Sequence, residues 1–217
     1  MQFRLLFLFL MTATSQVFAQ NWQGQIGTNL ATLPGRSLEI TSAWSPRLDR
    51  WAITVNAGYT HQNSFGGFRS GFACDCGVDD LKTSGAFVKV GYKRDLIRSN
   101  DRLTKLGLPI GLSLIGSQYR QEGTIESFGT GESVYRPHSA DGFLGGLGIT
   151  AALNIRFSSR WNLDLGVQKF VGFQKRTDYF LFDSYISHQP GVGLTDWKNF
   201  WPGLQGIVGL NYRLGRR

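Results

Sequence analysis

Apolar and polar residues alternate one by one through eight stretches of the chain, a period of two that predicts β-strands with one apolar and one polar face. The third stretch is the clearest: Trp51, Ile53, Val55, Ala57 and Tyr59 share one face, and Ala52, Thr54, Asn56, Gly58 and Thr60 share the other. Before it, Trp22, Gly24, Ile26, Thr28 and Leu30 oppose Gln23, Gln25, Gly27 and Asn29, and Leu38, Ile40, Ser42 and Trp44 oppose Glu39, Thr41 and Ala43. The fourth and fifth stretches set Ala86, Val88, Val90 and Tyr92 against Phe87 and Lys89, and Leu108, Ile110, Leu112 and Leu114 against Ser113 and Ile115. In the last three, Phe143 and Leu147 through Phe157 oppose Gly146 through Arg156; Trp161, Leu163, Leu165 and Val167 oppose Asn162, Asp164 and Gln168; and Leu204, Val208, Leu210, Tyr212 and Leu214 oppose Gln205, Ile207, Asn211 and Arg213. Phe87, Ile115 and Ile207 are apolar residues on the polar face.

The connections are expected at 31–37, 45–50, 62–82, 93–106, 120–142, 158–160 and 174–202. The second and sixth are tight turns, the fourth is intermediate, and the third, fifth and seventh are long. An even number of strands with turns at one end and long loops at the other is the layout of a membrane-spanning barrel. The first connection is short for that scheme. Trp22, Trp44, Trp51, Tyr92, Phe157, Trp161 and Tyr212 then all fall on the apolar face near the turn end. Aromatic girdles of this kind mark the boundary between hydrocarbon and water. Tyr59, Phe143, Phe173 and Trp201 are candidates for an upper ring. A soluble sandwich with an aromatic core remains the alternative.

The final strand, Gly209-Leu210-Asn211-Tyr212-Arg213-Leu214, carries a Gly, an aromatic residue and a last hydrophobic residue two positions apart. With the strand pattern, it resembles the small up-and-down outer-membrane β-barrel family of Gram-negative bacteria. The resemblance covers residues 20–217. It implies an all-β, eight-stranded antiparallel transmembrane barrel, contact with outer-membrane lipid, and assembly by the barrel-insertion machinery through the last strand. The chain departs from the family signal in lacking a terminal Phe, in the extra Gly215-Arg216-Arg217, and in Ile207.

Eight strands enclose a space that side chains fill, so no open aqueous channel is expected. Glu39, Lys89, Arg156, Asp164 and Arg213 point into it. Charges taken out of water need partners. Glu39 with Lys89 or Arg156, and Asp164 with Arg156 or Arg213, are the expected pairs. They form either a structural plug or a gated ion path.

The start of the chain bears on the compartment. Arg4 precedes the apolar run Leu5 to Met11, and Val17-Phe18-Ala19 offers a cleavage site, so residues 1–19 read as a secretory signal peptide. The run is too short for a membrane helix, which needs about 20 residues. The 217 residues include 28 Gly and 13% aromatics, and only 18% are charged, in keeping with short strands in a closed all-β architecture. The formal net charge of +8 is scattered. It suits anionic head groups or acidic polymers, and no nucleic-acid partner is expected.

Chemistry is sparse. Cys74 and Cys76, the only cysteines, flank Asp75 in a long loop. In an oxidising compartment a local disulfide is expected over a metal site, which would need Asp75, Asp79 and Asp80. A Ser–His hydrolase at the rim would draw on His61, His138 and His188 with Ser64, Ser139 and Ser187. No Gly-x-Ser-x-Gly elbow supports it, so neither a catalytic site nor a cofactor or metal site is expected. The aromatic last loop, from Tyr179-Phe180-Leu181-Phe182 to Trp201, either folds over the barrel mouth or presents a contact surface for a protein, glycan or lipid. Binding through the loops, possession of a conduit, and service as an accessory subunit of a secretion, conjugation or surface machine are the functions left open.

Overall fold

The computed structural model describes residues 22–46, 50–64, 66–69, 77–98, 105–128, 133–176, 185–196 and 201–214. The expected signal peptide at 1–19 and the cysteines Cys74 and Cys76 lie outside these residues, as do Tyr179 to Phe182.

In the described residues the chain forms strands β1 (Trp22–Asn29), β2 (Ser37–Pro46), β3 (Trp51–Asn63), β4 (Gly66–Arg69), β5 (Gly77–Arg98), β6 (Lys105–Phe128), β7 (Ser133–Arg156), β8 (Trp161–Arg176), β9 (Tyr185–Gln189), β10 (Gly193–Asp196) and β11 (Trp201–Leu214), with one short 3₁₀ turn at Leu30–Gly35. Eight of them, β1-β2-β3-β5-β6-β7-β8-β11, pair antiparallel with their neighbours in the wall. The pairing of β1 with β11, from Gly24–Leu214 to Asn29–Gly209, closes the ring. Closure removes the sheet edges that would otherwise expose backbone donors and acceptors. The wall is an up-and-down eight-stranded barrel, as the alternation predicts.

The alternation also fixes which face is outside. Ile40, Val55, Val88, Val90, Leu112, Leu114, Ile149 and Val167 point outward and are 40% or more exposed. Their polar neighbours Glu39, Lys89, Ser117, Asn162, Gln168, Gln205 and Asn211 point inward and are buried. This inside-out distribution leaves a continuous apolar belt, larger than soluble monomers ordinarily expose.

The strand rows climb as they circle. Ladder partners lead from Thr28 through Ile40, Ala57, Val88, Gly116 and Gly145 to Phe173. Thr28 lies near the middle of the wall, whereas Phe173 lies near the loop end of β8. Strand tilt of this kind accompanies barrel closure.

Three expected loop boundaries are corrected. β5, β6 and β7 have 22, 24 and 24 residues, where about 9–11 suffice to cross a membrane. Most of the expected loops 62–82 and 120–142 is strand, and β6 and β7 remain paired out to Phe128–Ser133. The segment 117–122, Ser-Gln-Tyr-Arg-Gln-Glu, is polar on both faces apart from Tyr119, so no apolar period marks it as strand. The result is a three-stranded fin that stands above the belt at the loop end. At the turn end β5 likewise continues past Tyr92 to Arg98.

The last long loop supplies a second departure. β9 and β10 form a hairpin, β10 pairs with the start of β11, and β9 pairs with β4. These strands make a lid across the mouth. Ser187, Gln189, Val192 and Thr195 are each at most 2% exposed. Of the two alternatives for this loop, its described part folds over the mouth.

Candidate functional site: the stopped lumen

At mid-height the inward residues converge on one ion pair. Lys89 Nζ lies 2.8 Å from Glu39 Oε1, both side chains being almost fully buried. The remaining ammonium protons go to Gln168 Oε1 at 3.1 Å and Gln205 Oε1 at 2.9 Å. The Glu39 carboxylate also accepts from Asn29 and Gln205, each at 3.1 Å, and from Asn56 at 3.5 Å. All three ammonium donors and both carboxylate oxygens are therefore used, the condition under which a buried pair is tolerated. The six residues come from six different wall strands, β1, β2, β3, β5, β8 and β11, so the network crosses the lumen and stops it. Glu39 with Lys89 is one of the pairs expected from the sequence.

Asp164 was expected to pair with Arg156 or Arg213; a cation not named from the sequence, the Lys93 ammonium, lies 3.9 Å from its carboxylate. Asn211 donates to it at 3.1 Å, and Asn154 donates to it as well. The climbing rows explain how Lys93 reaches Asp164. Lys93 shares a row with Gly111, Thr150 and Gln168, so the β8 position level with Lys93 lies several residues before Gln168, at Asp164. Arg156 and Arg213 sit nearer the turn end, where they line a small cavity of about 60 Å³ with Arg50, Lys93 and Asp95. Lys93 escapes sequence reading because its strand was expected to end at Tyr92. Continuing the alternation Phe87, Lys89, Gly91 by one step finds it.

Between the two levels lies a polar cavity of about 110 Å³, lined by Glu39, Asn56, Lys89, Lys93, Asp164 and Asn211 among others. That is room for several waters. The Glu39–Lys89 network forms part of its lining.

Above the network the lid tip enters the lumen. Gln168 Nε2 donates to the Gly191 carbonyl at 3.1 Å, which ties the tip to the ion-pair network. Gly191 has φ +71°, and a Cβ there would meet the Phe87 ring. Gln121 Nε2 donates to Ser187 Oγ at 3.1 Å and so holds the β9 side. Ile115, Tyr119, Leu144, Phe170 and Val192 form an apolar cluster beside the tip. Two of the residues that break the polar face thus gain a reason. Ile115 packs in this cluster, and Phe87 lies under the tip with the Lys89 ammonium 5.2 Å from its ring centre. Ile207 lines the lower cavity.

His188 of the lid is half-buried. Burial, and then the positive charge of Lys89, push its pKa down from 6.5 to about 4. The candidate hydrolase residues do not converge. His61 stacks on Tyr59 at the end of β3, His138 belongs to the fin, and Ser187 Oγ is engaged by Gln121 and Gln189. No group of three His, Cys, Asp or Glu suited to a metal ion occurs among the described residues.

On the outside, near the turn end, Trp22 meets Trp51 edge-on at 5.5 Å and Trp51 stacks on Tyr92 at 6.0 Å. Trp161 meets Tyr212 at 5.0 Å, and Arg160 donates to the Tyr212 hydroxyl at 2.8 Å. Trp44 and Phe157 are exposed on the same face. At the loop end Phe143 lies 6.4 Å from Phe173.

Among solved structures, the chain is similar to a major outer membrane protein from Thermus thermophilus, at a TM-score of 0.44 and 12% identity, over 89% of this chain and 98% of that one. No family model matches the sequence, and no curated protein does.

Proposed function

We propose that this protein is an integral outer-membrane barrel, closed to solutes and without enzymatic activity, that works through its extracellular face. The observation that carries the reading is the doubly stopped lumen, by the lid above and by the Glu39–Lys89 network below, within a wall whose outer face is apolar. Orientation follows from the ends: short turns and termini belong on the periplasmic side, the fin and lid outside. The aromatic residues near the turns would then lie at the inner-leaflet boundary, with the signal peptide removed on export.

The working surface in this reading is the fin. Its outward residues Lys82, Arg120, Glu122 and His138, with Asp80, line a shallow recess of about 390 Å³ above the belt. The Arg120–Glu122 pair at 2.9 Å is exposed, and so contributes little to stability. Such a surface suits a polar partner, a protein or a surface glycan, and an accessory role in a secretion, conjugation or surface machine.

Two measurements test this. Unboiled protein should migrate differently from boiled protein on a detergent gel, and planar bilayers containing it should stay electrically silent. A steady ohmic conductance would instead favour the conduit, the second reading, for which the cavity between the two charged levels speaks. Replacing residues 124–137 by a short turn should leave insertion intact and remove a partner that native membranes retain with the full chain. Retention of the partner by the truncated fin would refute the binding role.

A further inference from the structure

Wall strands β8 and β11 are hydrogen-bonded only as far as the pair Lys169–Leu204. Beyond it, among the described residues, β8 continues to Arg176 bonded to β7 alone, while the first residues of β11 pair with β10 of the lid. Gly203, at φ +21°, sits at the point of departure, where a Cβ would run into Val192 and Phe170. Two neighbours in the wall therefore part near the upper edge of the belt.

The two sides of this parting are apolar apart from Lys169, which stands on the outer face between Val167 and Val171 at the last pair. Outside stand Val171, Phe173 and Leu204, exposed by 45%, 63% and 53%. Inside is the cluster of Ile115, Tyr119, Leu144, Phe170 and Val192. Phe170 is fully buried and adjoins Val171 along β8, so an inner and an outer apolar side chain stand one position apart at the parting. Four members of the cluster belong to the wall, but Val192 is carried by the lid. It can leave without breaking any wall strand.

We propose that the parting is a lateral portal, through which one hydrocarbon chain of an outer-leaflet lipid reaches Phe170 and Leu144 and takes the place of Val192. The inference rests on the membrane reading above. Its occupant follows from continuity: the surface outside the portal is part of the lipid-facing belt, and the cluster inside holds no charged side chain to receive a polar solute. A gap lower in the wall would strand backbone groups in hydrocarbon, at a cost no barrel carries. Here β10 takes up the bonds of the β11 margin.

The test uses the full chain in phosphatidylcholine bilayers in which a fraction of the acyl chains end in a diazirine. After irradiation, peptide mass spectrometry maps the carbene adducts. Adducts are expected on Val171, Phe173 and Leu204 outside and on Leu144 and Phe170 inside. Val192→Gly should raise the inner yield severalfold relative to the outer one; should that variant not insert, the wild-type map decides alone. Adducts confined to the outer residues overturn the portal and leave the membrane reading standing. Absence of adducts from both sets overturns the two together.

Discussion

Lys89 reaches past strand β3 to place its ammonium 2.8 Å from the carboxylate of Glu39, and the same ammonium holds Gln168, whose amide in turn holds the lid at Gly191. One contact thus joins the wall, the centre of the lumen and the cover of the mouth. Removal of one partner leaves a buried charge, which typically costs about 3–5 kcal/mol. Lys89→Met should lower the stability of the folded barrel by that order, measured by urea unfolding in lipid vesicles. The double change Glu39→Gln, Lys89→Met should recover most of the loss. Equal loss in the single and double variants would mean that the amides, not the charges, carry the contact.

The lid should respond to acid. His188 is held neutral in the closed lid, with its pKa pushed from 6.5 to about 4, first by burial and then by Lys89. A group whose pKa is depressed in the closed state binds fewer protons there than in the open state. Closure therefore weakens as pH falls from about 6.5 towards 4 and levels off below. Lys89 is the cation that acts on His188, and the Glu39 carboxylate is already committed to Lys89. Hydrogen exchange of the amides of residues 187–195 should accelerate over this window in the wild type, with a flatter profile in His188→Gln. The same acceleration in both would assign the effect to another group.

How much of this was legible beforehand depended on whether a residue sits in an apolar period. In the belt each strand alternates cleanly, so strand number, face and the inward direction of Glu39 and Lys89 follow from the sequence. The fin lacks the signal, because Arg120, Gln121 and Glu122 meet water on one side and the polar lid region on the other. The lid lacks it too, since its bonds run between β4, β9, β10 and β11, segments far apart in sequence. The contact of Lys93 with Asp164 is illegible for a third reason. Which cation reaches Asp164 depends on the stagger of eight strands, and that accumulates from every turn. Phe87 and Ile115 were the one available hint of a lid, as apolar residues facing a polar interior need something apolar to meet.

The fit of the lid tip rests on Gly191. Its φ of +71° favours glycine, and a side chain there would press on Phe87. The left-handed conformation alone costs other residues roughly 1–2 kcal/mol. Gly191→Val should therefore lift the tip, seen as protease sensitivity between residues 185 and 196, while the barrel still shifts on an unboiled gel. Adding Phe87→Ala removes the collision but not the backbone strain, so it should restore closure only in part. Full closure of Gly191→Val by itself would show that the tip has slack to move.

The outward belt gives the sharpest test of what surrounds the protein. Val55 lies mid-strand in β3, is 41% exposed, and neighbours Ser42 and Val90 on the adjoining strands. On a soluble barrel Val55→Arg would place a charge in water, and stability would change by no more than about 0.5 kcal/mol. In hydrocarbon the same change costs about 2–4 kcal/mol near the midplane and much less towards either interface. Arginine scanned along the outer positions Ile53, Val55, Ala57 and Tyr59 should therefore give a cost that peaks in the middle and falls towards Tyr59. Inward positions should not follow that profile, since their neighbours are polar side chains rather than lipid. Folding titrations of the four variants in phosphatidylcholine vesicles measure it, and a flat profile would count against a membrane-spanning wall.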